Sequence, residues 1–332
     1  MYLRFNNHQD NRQMAKTLNF INIPDQKEDV DNISKFIKVT NVGIEAITNV
    51  YDDHTYDQNI STRVFLLQEN LIYRIHAAFH QYELLIEGMN SKSIIDLKSD
   101  PHEGEDPMHP KAYRYSADLS SIVDSIFFHL SSAFDYFGHF ISYMFEKNKD
   151  KTLDWSSLAK TARAGYKGRE LKIAKAIQKV DVQTRIPLDK YRGELIHRKR
   201  DLRRVGMNRN EEANQLTLIF AASPETMKHF KNFLPKYEPE SNYTLDFLPS
   251  AVFYRSLESI NYLLDYIRVD LIDDTKFIEN VKNKKRADFR YNFDVVSNQY
   301  YPQSEQIWSA YKKHHEKYQQ FLKKRQSAYF NI

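Results

Sequence analysis

Between residues 115 and 147 apolar side chains recur as Leu119, Ile122, Ile126, Leu130, Ala133, Phe137, Phe140 and Met144. Steps of three and four residues put all eight on one face of an α-helix, a period that no β-strand sustains. Aromatic residues flanking the stripe imply burial on more than one side, so this helix is expected at the centre of the fold. A second row on it is polar: Asp124, Ser131, Asp135, His139 and Ser142 also share a face, which is unusual in so apolar a segment.

The rest of the chain fits around such a helix. Only 8 glycines and 10 prolines punctuate 332 residues, too few for a strand-rich fold with frequent tight turns. The expected class is mainly α: an antiparallel bundle with long helices near 60–89, 115–147, 187–203 and 250–274. Phe65, Ile72, Ile75, Phe79, Tyr82 and Ile86 mark the first of these, and Leu257, Ile260, Leu264, Ile267 and Leu271 the last. Shorter helices are expected at 155–163 and 168–180. Pro187, tolerated in a first turn, should open the 187–203 helix, and Gly206 should end it. Leu216–Phe220 is the one segment expected to form a strand.

Three regions follow from this pattern. Residues 1–54 are a polar lead-in followed by a helix, 55–275 form the bundle, and 276–332 comprise a basic linker and a final helix near 304–326 carrying Trp308, Tyr311, Tyr318 and Leu322.

Lys and Arg outnumber Asp and Glu by 48 to 44, and a net charge of +4 does not by itself mark a nucleic-acid binder. The distribution is more telling, because cations gather at 190–204, 281–290 and 312–325. With no cysteine, disulfides, thiolate metal sites and cysteine nucleophiles are excluded. No apolar run approaches the roughly 20 residues that span a bilayer, and the polar N-terminus has no signal-peptide core. A cytoplasmic protein without a membrane partner is expected. No phosphate-cradling glycine loop, serine elbow or dinucleotide fingerprint occurs, so no cofactor is expected. His102, Glu103, Glu105 and His109 are metal-ligand types in a proline-bearing loop. Lacking helical preorganisation, they are not read as a metal site.

One short segment carries chemistry. In Arg192-Gly193-Glu194-Leu195-Ile196-His197 an arginine precedes a histidine by five positions, among Lys190, Arg198, Lys199, Arg200, Arg203 and Arg204. A guanidinium that holds a phosphate beside an imidazole that moves a proton is a minimal kit for cutting RNA without metal. With Leu188 at the origin of a helical wheel, Tyr191, Leu195 and Leu202 form the buried face, Arg192 edges it near about 40°, and His197 lies near about 180°. Arg192 and His197 are thus expected about 140° apart. Gly193 between them suits close approach of RNA or of a partner helix, or is simply tolerated on a surface.

This arrangement resembles the HEPN superfamily, helical bundles whose signature is an Arg, four to six residues, then a His. Here the match is Arg192 and His197, set between the 115–147 and 250–274 helices, and the likeness covers about 55–275. The family commonly has Asn, Asp or His directly after the Arg, where this chain has Gly193. The resemblance implies a homodimer with both motifs facing a cleft, acting as a metal-independent endoribonuclease. His197 would be the general acid or base and Arg192 would stabilise charge on phosphate, leaving a 2′,3′-cyclic phosphate. It also implies a toxin–antitoxin or anti-phage role, with an antitoxin or regulatory protein as partner. The other reading is a non-catalytic HEPN-like module that binds RNA, nucleotide or a protein.

From the residues themselves, Asp135 or Asp124 is a candidate to orient His197 or Arg192, the alternative being that these acids pair with cations in the fold. Lys190, Arg198, Lys199, Arg200 and Arg203 are candidate phosphate ligands, or an ordinary solvated basic face.

Overall fold

The computed structural model describes residues 3–5, 20–55, 63–97, 110–145, 151–165, 171–197, 204–210, 212–234, 236–272, 291–294 and 299–329. The described chain is mainly helical. Its long helices are α1 (Gln26–Thr55), α2 (Arg63–Ser91), α3 (Pro110–Phe145), α8 (Phe247–Ile272) and α9 (Gln303–Tyr329). Shorter ones are α4 (Trp155–Ala164), α5 (Lys172–Val180), α6 (Ile186–His197) and α7 (Pro224–His229). No helix among the described residues is long and apolar enough to cross a membrane. The segment 98–109, with the four metal-ligand types, lies outside the described residues.

The apolar periods account for the helices. Leu119, Ile126, Leu130, Ala133, Phe137, Phe140 and Met144 of the α3 stripe are buried, as are all five apolar positions marked on α8. From Leu130 onward α3 is also buried on its flanks, through Phe134, Ile141, Tyr143 and Phe145. On α2 the buried face is rotated from the expected one. Leu71, Ala78 and Leu85 join Ile75 and Tyr82 in the core, while Phe65, Ile72 and Phe79 are half-buried at its edge.

The expectation of a single strand is overturned. A four-stranded sheet has the order β1 (Leu3–Phe5), β4 (Arg204–Asn210), β5 (Gln215–Ala221), β3 (Ile94–Asp96). β4 and β5 form an antiparallel hairpin from Arg204↔Ala221 to Asn210↔Gln215, β1 lies parallel to β4, and β3 is antiparallel to β5. On β5 the buried Leu216, Leu218 and Phe220 alternate with the exposed Thr217 and half-buried Ile219, a strand with one face on a core. Gly206, expected to end a helix, is a β4 residue paired with Leu3 and Ile219. Two small pairs complete the sheets: β2 (Phe20–Ile21) with β6 (Asn242–Tyr243), and β7 (Tyr291–Asp294) with β8 (Gln299–Pro302).

The helix of the Arg–His motif does not begin at Pro187. It continues from α5 through a π-helical turn, Asp181–Arg185, in which Ile186 N–H donates to the Asp181 carbonyl five residues back. Proline has no N–H to complete the ordinary ladder, and a widened turn just before it lets the helix run on. The described part of the helix runs to His197, and the expected continuation through 198–203 falls outside the described residues.

The chain divides into two compact units, each taking pieces of the long helices. One contains residues 1–33, 77–129 and 187–253, and the other 34–76, 130–186 and 254–332. In the first, Tyr82 packs on Phe253 at 5.8 Å and donates its hydroxyl to the buried Asp29 carboxylate at 2.6 Å. In the second, Phe36 of α1 stacks on Tyr318 of α9 at 4.2 Å. The Tyr311 hydroxyl donates to Asn261 Oδ1 at 2.9 Å, and Asn261 Nδ2 donates to Thr40 Oγ1 at 2.7 Å. Trp308, Tyr311 and Tyr318 are thus the buried face of α9 within its own unit.

Candidate functional site

Arg192 belongs to the first unit, and aromatic packing fixes its place. Leu188 and Tyr191 are buried, as the wheel predicts, and Tyr191 meets Phe127 of α3 edge-on at 5.1 Å and Phe230 at 5.2 Å. Phe127 and Phe230 are themselves 5.3 Å apart. Three buried rings from separate segments therefore clamp α6 to α3, and one residue beyond Tyr191 the chain emerges with a half-buried Arg192.

The Arg192 guanidinium lies 5.1 Å from the ring centroid of Phe128, the neighbour of the buried Phe127. Phe128 is 41% exposed, and the His129 ring meets it at 5.7 Å and a 76° angle. The side chain of Arg192 is thus held over an aromatic face at the surface, a geometry that limits its rotamers.

His229 is also near the motif. Its Nε2 is 2.8 Å from the Pro187 carbonyl oxygen and its ring is 5.9 Å from Tyr191. A carbonyl only accepts, so Nε2 carries the proton in this contact.

The other predicted residues are distributed as follows. Lys190 is exposed on α6. His197 is the last residue of the α6 backbone, and its side chain lies outside the described residues. Arg198, Lys199, Arg200 and Arg203 also lie outside them. Around Gly193 an added Cβ meets nothing within 4 Å among the described residues outside its own helix backbone.

Asp135 belongs to the second unit, where it accepts a hydrogen bond from Arg185 Nη2 at 2.9 Å. Its neighbours on the polar face of α3 hold one segment of chain. His139 Nδ1 is 3.0 Å from Thr152 Oγ1, and Ser142 Oγ accepts from the Leu153 N–H at 2.7 Å. Asp154 then caps α4 by accepting from the Ser157 N–H, a bond that holds its carboxyl below the usual range. Gly138 leaves room for the Trp155 backbone to cross α3. His139 and Ser142 of the polar row thus form a docking strip for the 152–155 segment.

Phe128, His129 and His229 escape a reading of the sequence. Phe127-Phe128-His129 sits in an apolar helix, where any aromatic is first taken as core, and the pairing of α3 with α6 is needed to tell the buried ring from the exposed one. Among the described residues no group of three or more His, Cys, Asp or Glu is placed to hold a metal ion. Comparison with family models, curated proteins and solved structures returns no match to this chain.

Proposed function

We propose that this chain is a metal-independent endoribonuclease of HEPN type, with Arg192 as phosphate and transition-state ligand and His197 as general acid or base. The observation that carries this reading is the half-buried Arg192, steadied over an exposed Phe128 and five residues ahead of His197 on one helix. Base-assisted attack of a ribose 2′-hydroxyl on the adjacent phosphorus forms the cyclic P–O bond. The P–O5′ bond breaks and the leaving oxygen takes a proton, giving a 2′,3′-cyclic phosphate and a 5′-hydroxyl. Arg192 offsets the charge that builds on the phosphoryl oxygens.

Helical geometry separates positions 192 and 197 by about 140°. A homodimer that faces two motifs across a cleft supplies the missing juxtaposition. A cellular role as a toxin or anti-phage effector, held in check by an antitoxin or regulatory protein, follows from such an activity.

The second reading is a non-catalytic module that binds RNA, nucleotide or protein, and the exposed aromatic beside the arginine favours it. Single-stranded RNA incubated with the protein in EDTA separates the two. Cleavage to cyclic-phosphate ends that His197→Ala abolishes, with an unchanged circular-dichroism melt, supports the enzyme. Cleavage surviving in that variant overturns the assignment of His197, and binding without cleavage favours the module.

A further inference from the structure

We infer that the outer face of α5, in the second unit, carries the phosphate backbone of single-stranded RNA on Lys175 and Lys179. This deepens the nuclease reading by giving its substrate a further point of attachment, and it rests on that reading for the choice of RNA as the polyanion.

The residues of α5 sort cleanly by side. Ile173, Ala176, Ile177 and Val180 are buried, Ala174 and Gln178 are half-buried, and the remaining positions are exposed lysines: Lys172, Lys175 and Lys179. Steps of three and four residues align these lysines on one side of the helix, with Lys175 and Lys179 about 6 Å apart along its axis. Like charges one turn apart repel, so the helix itself gains nothing from the row.

Counter-charges do not cancel it. Among the described residues neither Lys175 nor Lys179 has an ion-pair partner. The carboxylates that meet α5 and its π-helical continuation are engaged elsewhere. Asp270 accepts the Lys172 and Ile173 N–H groups, Asp181 accepts from Trp155 and Arg163, and Asp135 accepts from Arg185. The Lys179 ammonium lies 4.7 Å from the Tyr262 ring centroid, and the Tyr262 hydroxyl donates to that of Tyr266 at 3.2 Å. This contact positions the lysine without neutralising it, because an aromatic ring carries no net charge. Cations also outnumber acids in the second unit as a whole, whereas acids outnumber cations in the first.

The chemistry of the face favours a phosphate backbone. Protein interfaces are depleted in lysine and centre on apolar or aromatic side chains. A membrane surface takes apolar groups inserted beside the lysines, and the isoleucines and valine of α5 are buried in the core. Phosphates repeated along a strand need only a row of cations. Lys179 covers Tyr262, so the contact is with the backbone and carries no base preference.

Fluorescence anisotropy of the full chain with 2′-O-methyl oligouridylate tests this across a salt series. The probe has no 2′-hydroxyl to react, so the result is readable whether or not the protein is a nuclease. Each phosphate neutralised on a single strand adds about 0.7 to the slope with which log affinity falls against log salt. The double variant Lys175→Gln/Lys179→Gln should lower that slope by about 1.4 and weaken binding about 20-fold at roughly 0.1 M salt, the curves converging near about 1 M. An abasic oligomer of equal charge should lose as much. Lys35→Gln/Lys38→Gln removes the same charge from exposed positions of α1 and should cost less than about twofold. Both variants alter exposed side chains and should melt as the wild type does. The proposal is overturned if the wild type does not bind the probe, if the α5 variant keeps the wild-type slope, if the α1 variant loses as much, or if the abasic strand is unaffected. Loss of binding to phosphatidylserine vesicles with RNA affinity intact would assign the face to a membrane instead. The nuclease reading fails separately, on absence of cleavage of ordinary RNA in EDTA.

Discussion

The Asp270 carboxylate accepts the backbone N–H of Ile173 at 2.7 Å and that of Lys172 at 3.1 Å, capping a helix 97 residues earlier in the chain. The residue at the N-cap of α5 is Leu171, which has no side-chain acceptor, so α8 supplies what the local sequence lacks. Asp270→Ala should lower unfolding free energy by about 1–2 kcal/mol in urea denaturation with an unchanged slope. Asp270→Asn should retain part of it, since one amide oxygen still accepts.

Trp155 and Asp181 form a second buried link. The indole Nε1–H donates to Asp181 Oδ1 at 2.9 Å, and Arg163 engages the other carboxylate oxygen. Asp181→Ala strands a buried N–H and should cost about 2 kcal/mol or more, read from chemical denaturation. Trp155→Phe keeps a ring against Phe134 and should cost less.

Two helical glycines should respond to alanine with opposite sign. At Gly138 a Cβ would lie 2.6 Å from the Trp155 backbone nitrogen, and backbone cannot turn aside as a side chain can. Gly138→Ala should destabilise by about 1–3 kcal/mol. At Gly193 an added Cβ meets nothing within 4 Å among the described residues outside its own helix backbone, and Gly193→Ala should stabilise by up to about 1 kcal/mol through helix propensity. Thermal melts of both check this, and a stabilised Gly193→Ala that loses RNA binding would show that the ligand approaches at Gly193.

His315 provides a pH dependence. Burial, its largest influence, pushes its pKa below the ordinary value, with Lys312 acting in the same direction and Asp265 and Glu316 opposing. The ring stacks on Tyr311 at 10° and faces the Gln319 amide nitrogen at 3.2 Å, where a neutral Nε2 accepts and a protonated one cannot. The unfolded chain therefore binds this proton more readily than the native one. The associated stability is complete above the ordinary histidine pKa and lost as pH falls through the depressed native value. Urea midpoints of wild type should drop between neutral and mildly acidic pH, and His315→Phe should flatten that drop. A variant with the same slope as wild type removes His315 as its source.

Arg192 should matter through its planar fork as well as its charge. Arg192→Lys keeps the cation but loses the stack on Phe128 and the fork that the proposed nuclease would use on phosphate, and on that proposal should reduce cleavage in EDTA by about 100-fold. Recovery of full activity with lysine would leave Arg192 a point charge only.

The sequence determined where helices form, because a three-to-four residue apolar period is a local property of consecutive side chains. α3, α8 and the buried face of α9 follow from Leu119–Met144, Leu257–Leu271 and Trp308–Tyr318. It also marked Leu188 and Tyr191 as core and Arg192 as the edge of α6. Tertiary structure decided the rest. β1 pairs with residues some 200 positions away, and three-residue strands have no period to read. Asp135 drew notice as an acid in the polar row of α3, but its Arg185 partner emerges only when the π turn meets α3. Phe127 and Phe128 are alike in composition and differ because Tyr191 and Phe230 close over one and Arg192 over the other. Burial depends on which helix arrives, and that contact energy is distributed over residues far apart in the chain.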